Sequence, residues 1–204
     1  MTPLKPFLGA VLTGGKSVRL GVDKTTLLKD GTPLAAYVGS VLLAAGAEVV
    51  VAVGGPQTKA TSHSVFSDHW ADAETDQGPL AGVVAVLEQI SSNAQFSKFE
   101  TCLIFAADTP NLGVHTPQQL IENLEQHPDA DVAVLVVDEV DQPLTAAWRS
   151  TALENIRIRY AENERSVRAV LSDLSVIRVH STDKDAIDDV DVPSDLGRYD
   201  LRNE

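Results

Sequence analysis

Residues 7–24 read F7-L-G-A-V-L-T-G-G-K-S-V-R-L-G-V-D-K24, an apolar run that passes directly into a glycine-rich, basic loop. A short apolar run before a turn is typical of a buried β-strand, and adjacent glycines let the backbone approach an anion without Cβ clashes. The fragment Gly15-Lys16-Ser17 suggests a Walker A loop, but that pattern requires a second glycine where this chain has Ala10. We therefore predict a strand followed by a phosphate-binding loop of another kind.

Along the rest of the chain, short β-rich apolar runs alternate with longer segments of helical spacing, as in an α/β fold with a mostly parallel sheet. In residues 79–90, for example, apolar side chains recur at i, i+3, i+4 and i+7, which predicts a helix with one buried face. The predicted strands are 7–13, 48–53, 64–67, 101–107, 131–138, 143–149 and 175–180. The predicted helices are 33–45, 79–90, 116–126, 151–160 and 166–173, with a closing helix from Pro193. No internal repeat or long linker divides the chain, so the sequence predicts a single three-layer domain over residues 1–204.

The composition is that of a globular domain, with 44% hydrophobic and 22% charged residues in a chain of 204. A formal net charge of −13 argues against a nucleic-acid partner, because non-specific binding to phosphate backbones needs many lysines and arginines. The single cysteine, Cys102, cannot form an intramolecular disulfide, and its apolar surroundings predict a buried thiol. No apolar segment reaches the ~18 residues of a membrane span and no signal peptide is recognisable, so we expect a cytoplasmic protein without a membrane partner.

Two motifs fall where parallel α/β sheets bind ligands, beyond the carboxyl ends of the strands. Thr13-Gly14-Gly15 follows the first strand, and Asp108 follows the run 101–107, whose unbroken apolarity predicts a central strand covered on both faces. If these two strands are parallel neighbours, a phosphate loop and a carboxylate face one crevice.

The glycine-rich loop carries three cations, Lys16, Arg19 and Lys24, in an otherwise acidic chain. Such a concentration of positive charge favours an anion-binding site, although a solvated glycine-rich turn with surface charges is the alternative interpretation. Asp108 likewise fits either a ligand-binding carboxylate or a turn residue, because Asp-Thr-Pro is also a common turn sequence.

The segment G78-P-L-A-G82 starts a helix with proline in its first turn and so presents free backbone N–H groups. Gly82 costs a helix ~1 kcal/mol relative to alanine, which suggests a close contact, although a plain helix start is the alternative. Asp72 precedes this segment and could meet a ribose hydroxyl or an amine edge, but it also fits an acidic surface loop, A71-D-A-E-T-D76. The five histidines show neither metal-ligand spacing nor a catalytic constellation.

Five motifs occur in order along the chain: T13-G-G-K-S-V-R-L-G-V-D-K24, G78-P-L-A-G82, A107-D-T-P-N111, Q142-P-L144 and D189-V-D-V-P-S-D-L196. Together they resemble the MobA-like nucleotidyltransferases, whose best-known members are molybdenum cofactor guanylyltransferases and whose opening signature is Leu-Ala-Gly-Gly-x-Ser-x-Arg-Met-Gly-x-Asp-Lys. The resemblance spans essentially the whole chain. It implies a Rossmann-like α/β domain of the nucleotide-diphospho-sugar transferase type. It also implies an enzyme that moves GMP from GTP onto the phosphate of molybdopterin and releases pyrophosphate.

The resemblance further implies roles for individual residues. Those lining the nucleotide and its phosphates would be Leu12, Thr13, Gly14 and Gly15, and the catalytic residues would be Arg19 and Lys24 on the triphosphate and Asp108 as the Mg²⁺ ligand. The nucleoside would be bordered by Asp72, Gly78, Pro79, Leu80 and Gly82. The loops facing the pterin would hold Gln142, Arg165, Ser166, Asp189 and Asp191. The implied partners are GTP, molybdopterin, and molybdoenzymes or other proteins of cofactor biosynthesis.

Some positions depart from the family pattern. Thr13 replaces alanine and Leu20 replaces methionine, which are mild changes. Ala52 and the residues after it stand where some relatives place an asparagine that contacts the nucleotide, and Asp189 and Asp191 stand where others often carry asparagine. The alternatives are therefore a cytidylyltransferase for the same cofactor, a guanylyltransferase for another phosphorylated acceptor, and a non-catalytic nucleotide-binding regulator of cofactor biosynthesis.

Overall fold

A computed structural model describes residues 4–14, 20, 23–71, 78–181 and 188–202. The strands in these ranges are β1 (Phe7–Leu12), β2 (Leu28–Lys29), β3 (Thr32–Pro33), β4 (Val49–Val53), β5 (Asp68–Trp70), β6 (Thr101–Ala106), β7 (Val132–Val137), β8 (Val140–Arg149) and β9 (Val176–His180). The helices are α1 (Leu34–Ala44), α2 (Pro79–Ser92), α3 (His115–Gln126), α4 (Leu153–Ala161), α5 (Val167–Val170) and α6 (Pro193–Arg198), with 3-10 turns at Lys24–Thr26, Ser150–Ala152 and Leu171–Asp173. None of the described helices combines the length and the apolar character needed to cross a membrane.

The central sheet has the strand order β5-β4-β1-β6-β8-β7-β9, and β2 and β3 form a separate small hairpin. Strands β5, β4, β1 and β6 pair in parallel, and β9 pairs in parallel with β7. Strand β8 runs antiparallel to both of its neighbours, β6 and β7. The mostly parallel sheet expected from the sequence is confirmed, and β8 is its reversed strand.

Strands β1 and β6 lie side by side at the centre of the sheet, with Leu12 paired to Ala106 at the end of the register. Side chains of β1 alternate between two cores, because successive residues of a strand point to opposite faces. Leu8 and Ala10 pack with α2, α4 and α5, whereas Phe7 and Val11 pack with α1 and α3. Burial on both faces explains why neither strand shows a polar face in the sequence.

The strand predicted at residues 64–67 is wrong, because the strand lies at Asp68–Trp70 instead. A Cβ added at Gly39 of α1 would lie 3.3 Å from Val65 Cγ1 and 3.1 Å from Phe66 Cε1. Two consecutive side chains thus contact the same helix, whereas a strand would send them to opposite faces. Val65 and Phe66 therefore pack against α1 and do not belong to a strand.

The C-terminal segment returns to the N-terminal third of the chain. Leu28 and Arg202 exchange backbone hydrogen bonds of 2.8 and 3.0 Å. Val190 is fully buried in a small cluster that includes Leu20, Leu27 and Leu34. This packing brings the acidic residues on either side of Val190 to the edge of the sheet where β1 and β6 end.

Candidate functional site

The carboxyl ends of β1, β4 and β6 meet at one edge of the sheet, because the three strands are parallel neighbours. The backbone N–H of Thr13 donates to Val53 O at 2.7 Å, and that of Ala107 donates to Leu12 O at 3.1 Å. The chain segments that follow the three strands therefore start side by side. The condition stated from the sequence is therefore met, because the strands that precede Thr13 and Asp108 are adjacent and parallel.

Thr13, the first residue after β1, is hydrogen-bonded to the turn after β4, a glycine corner formed by Gly54 and Gly55. Thr13 Oγ1 lies 2.6 Å from Gly54 O and 3.1 Å from Val53 O, and the side chain is buried. Gly54 and Gly55 have φ values of +79° and +66°, and a Cβ on Gly55 would lie 3.0 Å from Thr13 O. The hydroxyl of Thr13 thus holds a backbone corner that a larger residue at position 55 would disturb.

Lys24 is presented by a 3-10 turn that the preceding residue caps. Asp23 Oδ1 accepts hydrogen bonds from the backbone N–H of Thr25 at 3.0 Å and from its hydroxyl at 2.7 Å. Side-chain capping of this kind satisfies N–H groups that a helical start leaves without partners. Asp23 therefore helps to orient Lys24. An aspartate directly before the lysine is a local sign of such a cap, but we did not predict this role from the sequence.

The side chain of Lys24 lies between two carboxylates that are distant in sequence. Its Nζ is 3.1 Å from Asp108 Oδ2 and also donates to Asp191 Oδ1. The exposed fractions of the three side chains are 17% for Lys24, 24% for Asp108 and 44% for Asp191. Burial lowers the pKa of Lys24, but the hydrogen bonds and charges of Asp191 and Asp108 outweigh it and raise that pKa above its ordinary value.

A third carboxylate completes a cluster at this position. Oxygen atoms of Asp108, Asp189 and Asp191 all lie within 4.8 Å of one another. The backbone fixes the arrangement, since Val190 N donates to Asp108 O at 3.1 Å. Desolvation and the negative charges of Asp191 and Asp108 raise the pKa of Asp189, because its ionised form adds to the local repulsion. Converging carboxylate oxygens are the donor set of hard divalent cations, so these residues could hold Mg²⁺.

Asp195 positions this part of the cluster from the first turn of α6. Its Oδ2 accepts the backbone N–H groups of Asp191 and Val192, each at 2.9 Å. These two hydrogen bonds lower the pKa of Asp195. The segment D191-V-P-S-D195 carries a local signal for such a cap, a proline in the first turn and an acid two residues later, but we did not identify it from the sequence.

The segment 78–82 packs closely against the protein itself. Gly78 has φ +77°, and a Cβ there would lie 3.1 Å from Arg165 O. A Cβ on Gly82 would lie 2.9 Å from Leu12 Cδ2, which gives the close contact that a glycine inside α2 suggested. The side chain of Leu80 is fully buried in the core, so this segment can offer a ligand the exposed Pro79 and backbone groups.

Other predicted site residues make contacts outside the Lys24 cluster. Gln142 Nε2 donates to Val140 O at 3.2 Å, near the start of β8. The Arg165 guanidinium lies 4.3 Å from the ring centroid of Tyr160 and donates to Tyr160 O at 2.9 Å. Ser166 caps α5 by accepting the backbone N–H of Ala169 at 3.4 Å. Four residues singled out from the sequence lie outside the part of the chain that the structure describes: Gly15, Lys16, Arg19 and Asp72.

Comparison with known proteins gives a consistent family assignment. A family model described as the MobA-like NTP transferase domain matches residues 9–179. A probable molybdenum cofactor guanylyltransferase of Rhodopirellula baltica is 29% identical, with 94% of this chain and 90% of the relative covered. The molybdenum cofactor guanylyltransferase of Burkholderia cenocepacia is 30% identical, with 87% of each covered.

Solved structures agree on the fold. A crystal structure of molybdopterin-guanine dinucleotide biosynthesis protein A from Archaeoglobus fulgidus superimposes with a TM-score of 0.69 at 19% identity, over 95% of this chain and 96% of the other. At that level of identity the likeness concerns the fold, which is the nucleotidyltransferase fold of the nucleotide-diphospho-sugar transferase type. The fold class expected from the sequence is confirmed.

Proposed function

The chain belongs to the MobA-like NTP transferase family, a family of nucleotidyltransferases, and on this premise we propose that it is a molybdenum cofactor guanylyltransferase. It transfers GMP from GTP to the phosphate of molybdopterin and releases pyrophosphate. One observation carries the proposal: Lys24, from the signature loop, lies 3.1 Å from Asp108, which follows the neighbouring parallel strand. Lys24, which would meet the triphosphate, and Asp108, which would meet the metal, are therefore in contact at one edge of the sheet.

The nucleotide lies along the edge formed by β1 and β4. Leu12, Thr13, Gly14 and Gly15 offer backbone groups to the nucleotide, since the side chains of Leu12 and Thr13 are turned into the protein. Arg19 and Lys24 hold the triphosphate. The nucleoside is bordered by Asp72 and by the start of α2, where Pro79 and the backbone of Gly78 are exposed, whereas the Leu80 side chain and Gly82 support that segment from the core.

The donor set at Asp108 fits a divalent cation. Three carboxylates within 4.8 Å of one another concentrate negative charge, and the raised pKa of Asp189 reflects that concentration. We assign Mg²⁺ to Asp108, and we infer that Asp189 and Asp191 support it, because carboxylate oxygens of the three residues lie within 4.8 Å of one another. When bound, Mg²⁺ supplies Lewis-acid charge beside the phosphates.

The chain itself contributes positioning and positive charge, which is what nucleotidyl transfer requires. A phosphate oxygen of molybdopterin attacks the α-phosphorus of GTP, and the bond to the β-phosphate oxygen breaks to release pyrophosphate. Lys24 stabilises the charge that develops on the phosphates. Asp23 caps the turn that presents Lys24, and Asp108 and Asp191 contact its ammonium. The attacking phosphate is already ionised near pH 7, so the step needs no general base.

The deciding experiment is a competition between equal concentrations of GTP and CTP with Mg²⁺ and molybdopterin, followed by mass analysis of the product. We expect guanylylated molybdopterin and pyrophosphate. A predominantly cytidylylated product identifies the cytidylyltransferase alternative and contradicts the proposal. Tight GTP binding without a product favours another phosphorylated acceptor or a non-catalytic regulator. We further propose that residues 1–204 act as one domain in the cytoplasm, where GTP is available.

A further inference from the structure

The loop that follows Asp108 is held at three alternate carbonyl groups. Val190 N donates to Asp108 O at 3.1 Å, Lys29 Nζ donates to Pro110 O, and Tyr37 Oη donates to Leu112 O at 2.9 Å. The donors come from segments far from this loop in sequence. The conformation of the loop therefore depends on side chains that do not themselves reach the carboxylate cluster.

Lys29 and Tyr37 act on the loop as a pair. The Lys29 ammonium lies 4.5 Å from the centroid of the Tyr37 ring, a distance at which the ring face attracts a cation. Burial lowers the pKa of Lys29, so placing an ammonium here is unfavourable unless it finds partners. The Pro110 carbonyl and the ring are such partners, and Pro110 is itself buried.

The same short segment carries Lys24, which contacts Asp108 directly. Lys24 is attached to the carboxylate that begins the loop, and Lys29, five residues later, is attached to the carbonyl of Pro110. Two attachments between the same pair of segments fix their relative position better than one. A shift of the loop at Pro110 would move the Asp108 carboxylate, two residues away.

From these contacts we propose that Lys29 and Tyr37 are positioning residues that set the Asp108 carboxylate for the divalent cation. The inference deepens the proposed function and rests on it, since it assigns a role at the same site. Neither residue touches the reacting atoms. Their effect is expected in metal affinity, because partners that orient a metal ligand typically change affinity by about 10–100-fold when they are removed.

The test uses Mn²⁺ as the probe and measures its dissociation constant with the full-length protein in the absence of nucleotide. Lys29→Met keeps the length of the side chain and removes its charge and donor groups, and we expect Mn²⁺ binding to weaken about tenfold. Lys29→Arg retains a cationic donor and should restore affinity to within about threefold of wild type. Thermal unfolding of each variant, recorded alongside, shows whether the fold persists at the assay temperature.

Lys98→Met is the matched control. Lys98 also lies over an aromatic ring, 5.0 Å from the centroid of Phe99, and it pairs with Glu48. It lies at the amino end of β6, opposite the site, so Mn²⁺ affinity should not change. If Lys29→Met is poorly folded, Tyr37→Phe removes only the hydroxyl that donates to Leu112 O, and we expect roughly threefold weaker binding.

A folded Lys29→Met or Tyr37→Phe variant with wild-type Mn²⁺ affinity overturns the inference and leaves both residues a purely structural role. Wild-type protein that binds no Mn²⁺ overturns it as well, because the assumed metal position is then wrong. Failure of the proposed function has another signature: Mn²⁺ binds and Lys29→Met weakens that binding, but no GMP is transferred to molybdopterin.

Discussion

Replacing Lys24 by methionine should change turnover and metal binding in opposite directions. The ammonium contacts oxygens of Asp108 and Asp191, and both carboxylates belong to the cluster that would hold Mg²⁺. In the absence of nucleotide, Lys24 and a divalent cation therefore compete for the same acceptors. During catalysis, the same charge is needed on the phosphates.

The magnitudes follow from the geometry and exposure of the pair. At an effective dielectric constant of about 20, opposite charges ~4 Å apart attract by ~4 kcal/mol, and Nζ of Lys24 is 3.1 Å from Asp108 Oδ2. Partial exposure of both aspartates and the cost of desolvating Lys24 reduce the net value to about 1–2 kcal/mol. Removing the competitor should therefore tighten Mn²⁺ binding about tenfold. Losing a preorganised charge contact should lower turnover by a factor of about 10² or more.

Two measurements on Lys24→Met check this expectation. One is an Mn²⁺ titration without nucleotide, and the other is pyrophosphate release with GTP and molybdopterin. Lys24→Arg serves as the charge-retaining control and should keep metal affinity near wild type. Wild-type turnover in a well-folded Lys24→Met variant would refute the catalytic role. Weaker Mn²⁺ binding together with lower turnover would instead show that Lys24 builds the metal site rather than competing for it.

Further predictions concern the metal ligand, the glycine corner and the thiol. Asp108→Asn should abolish activity that excess Mg²⁺ restores poorly, and an unchanged dependence of turnover on Mg²⁺ would make Asp108 a turn residue. Gly55→Ala should lower the free energy of unfolding in urea by about 1 kcal/mol more than Gly31→Ala does. Both glycines have positive φ, but only at Gly55 would a Cβ crowd a neighbouring atom, Thr13 O at 3.0 Å. Equal losses in the two variants would show that the Thr13 backbone moves to make room for the added Cβ. Burial raises the pKa of the Cys102 thiol, so a thiol reagent at about pH 8 should modify it only after unfolding, and rapid modification of the native protein would contradict the burial.

The sheet could be predicted where burial on both faces leaves a continuous apolar run. Strands β1 and β6 show such runs, and both were located to within one residue at each end. Val65 and Phe66 form a similar but shorter run, yet they pack against α1 and the strand follows them. Two adjacent apolar residues indicate that the segment is buried, but they do not indicate whether it packs against a sheet or a helix. A short apolar run therefore fits both a strand and a loop that packs on a helix.

The candidate site could be predicted residue by residue but not as a set of contacts. Lys24 and Asp108 were identified separately, each from its own local motif, and 84 residues separate them in the chain. Asp191, 167 residues from Lys24, was expected on the acceptor side from the family resemblance, and nothing local in the sequence connects it to the lysine. The return of the C-terminal segment through Val190 creates that connection, and it depends on packing that a linear pattern does not encode.

The carboxylate cluster and the net charge of the whole chain both make the site unfavourable for an anionic substrate. Three carboxylates within 4.8 Å, in a chain with a net charge of −13, produce a field that repels a free triphosphate. Lys24 supplies one positive charge, and Asp108 and Asp191 fix its position before any substrate arrives. Under the proposed function, a cation at the cluster would act in a second way besides catalysis, because it would reverse the local charge that the phosphates meet. On the same premise, substitutions of Asp189 and Asp191 should weaken binding of that cation.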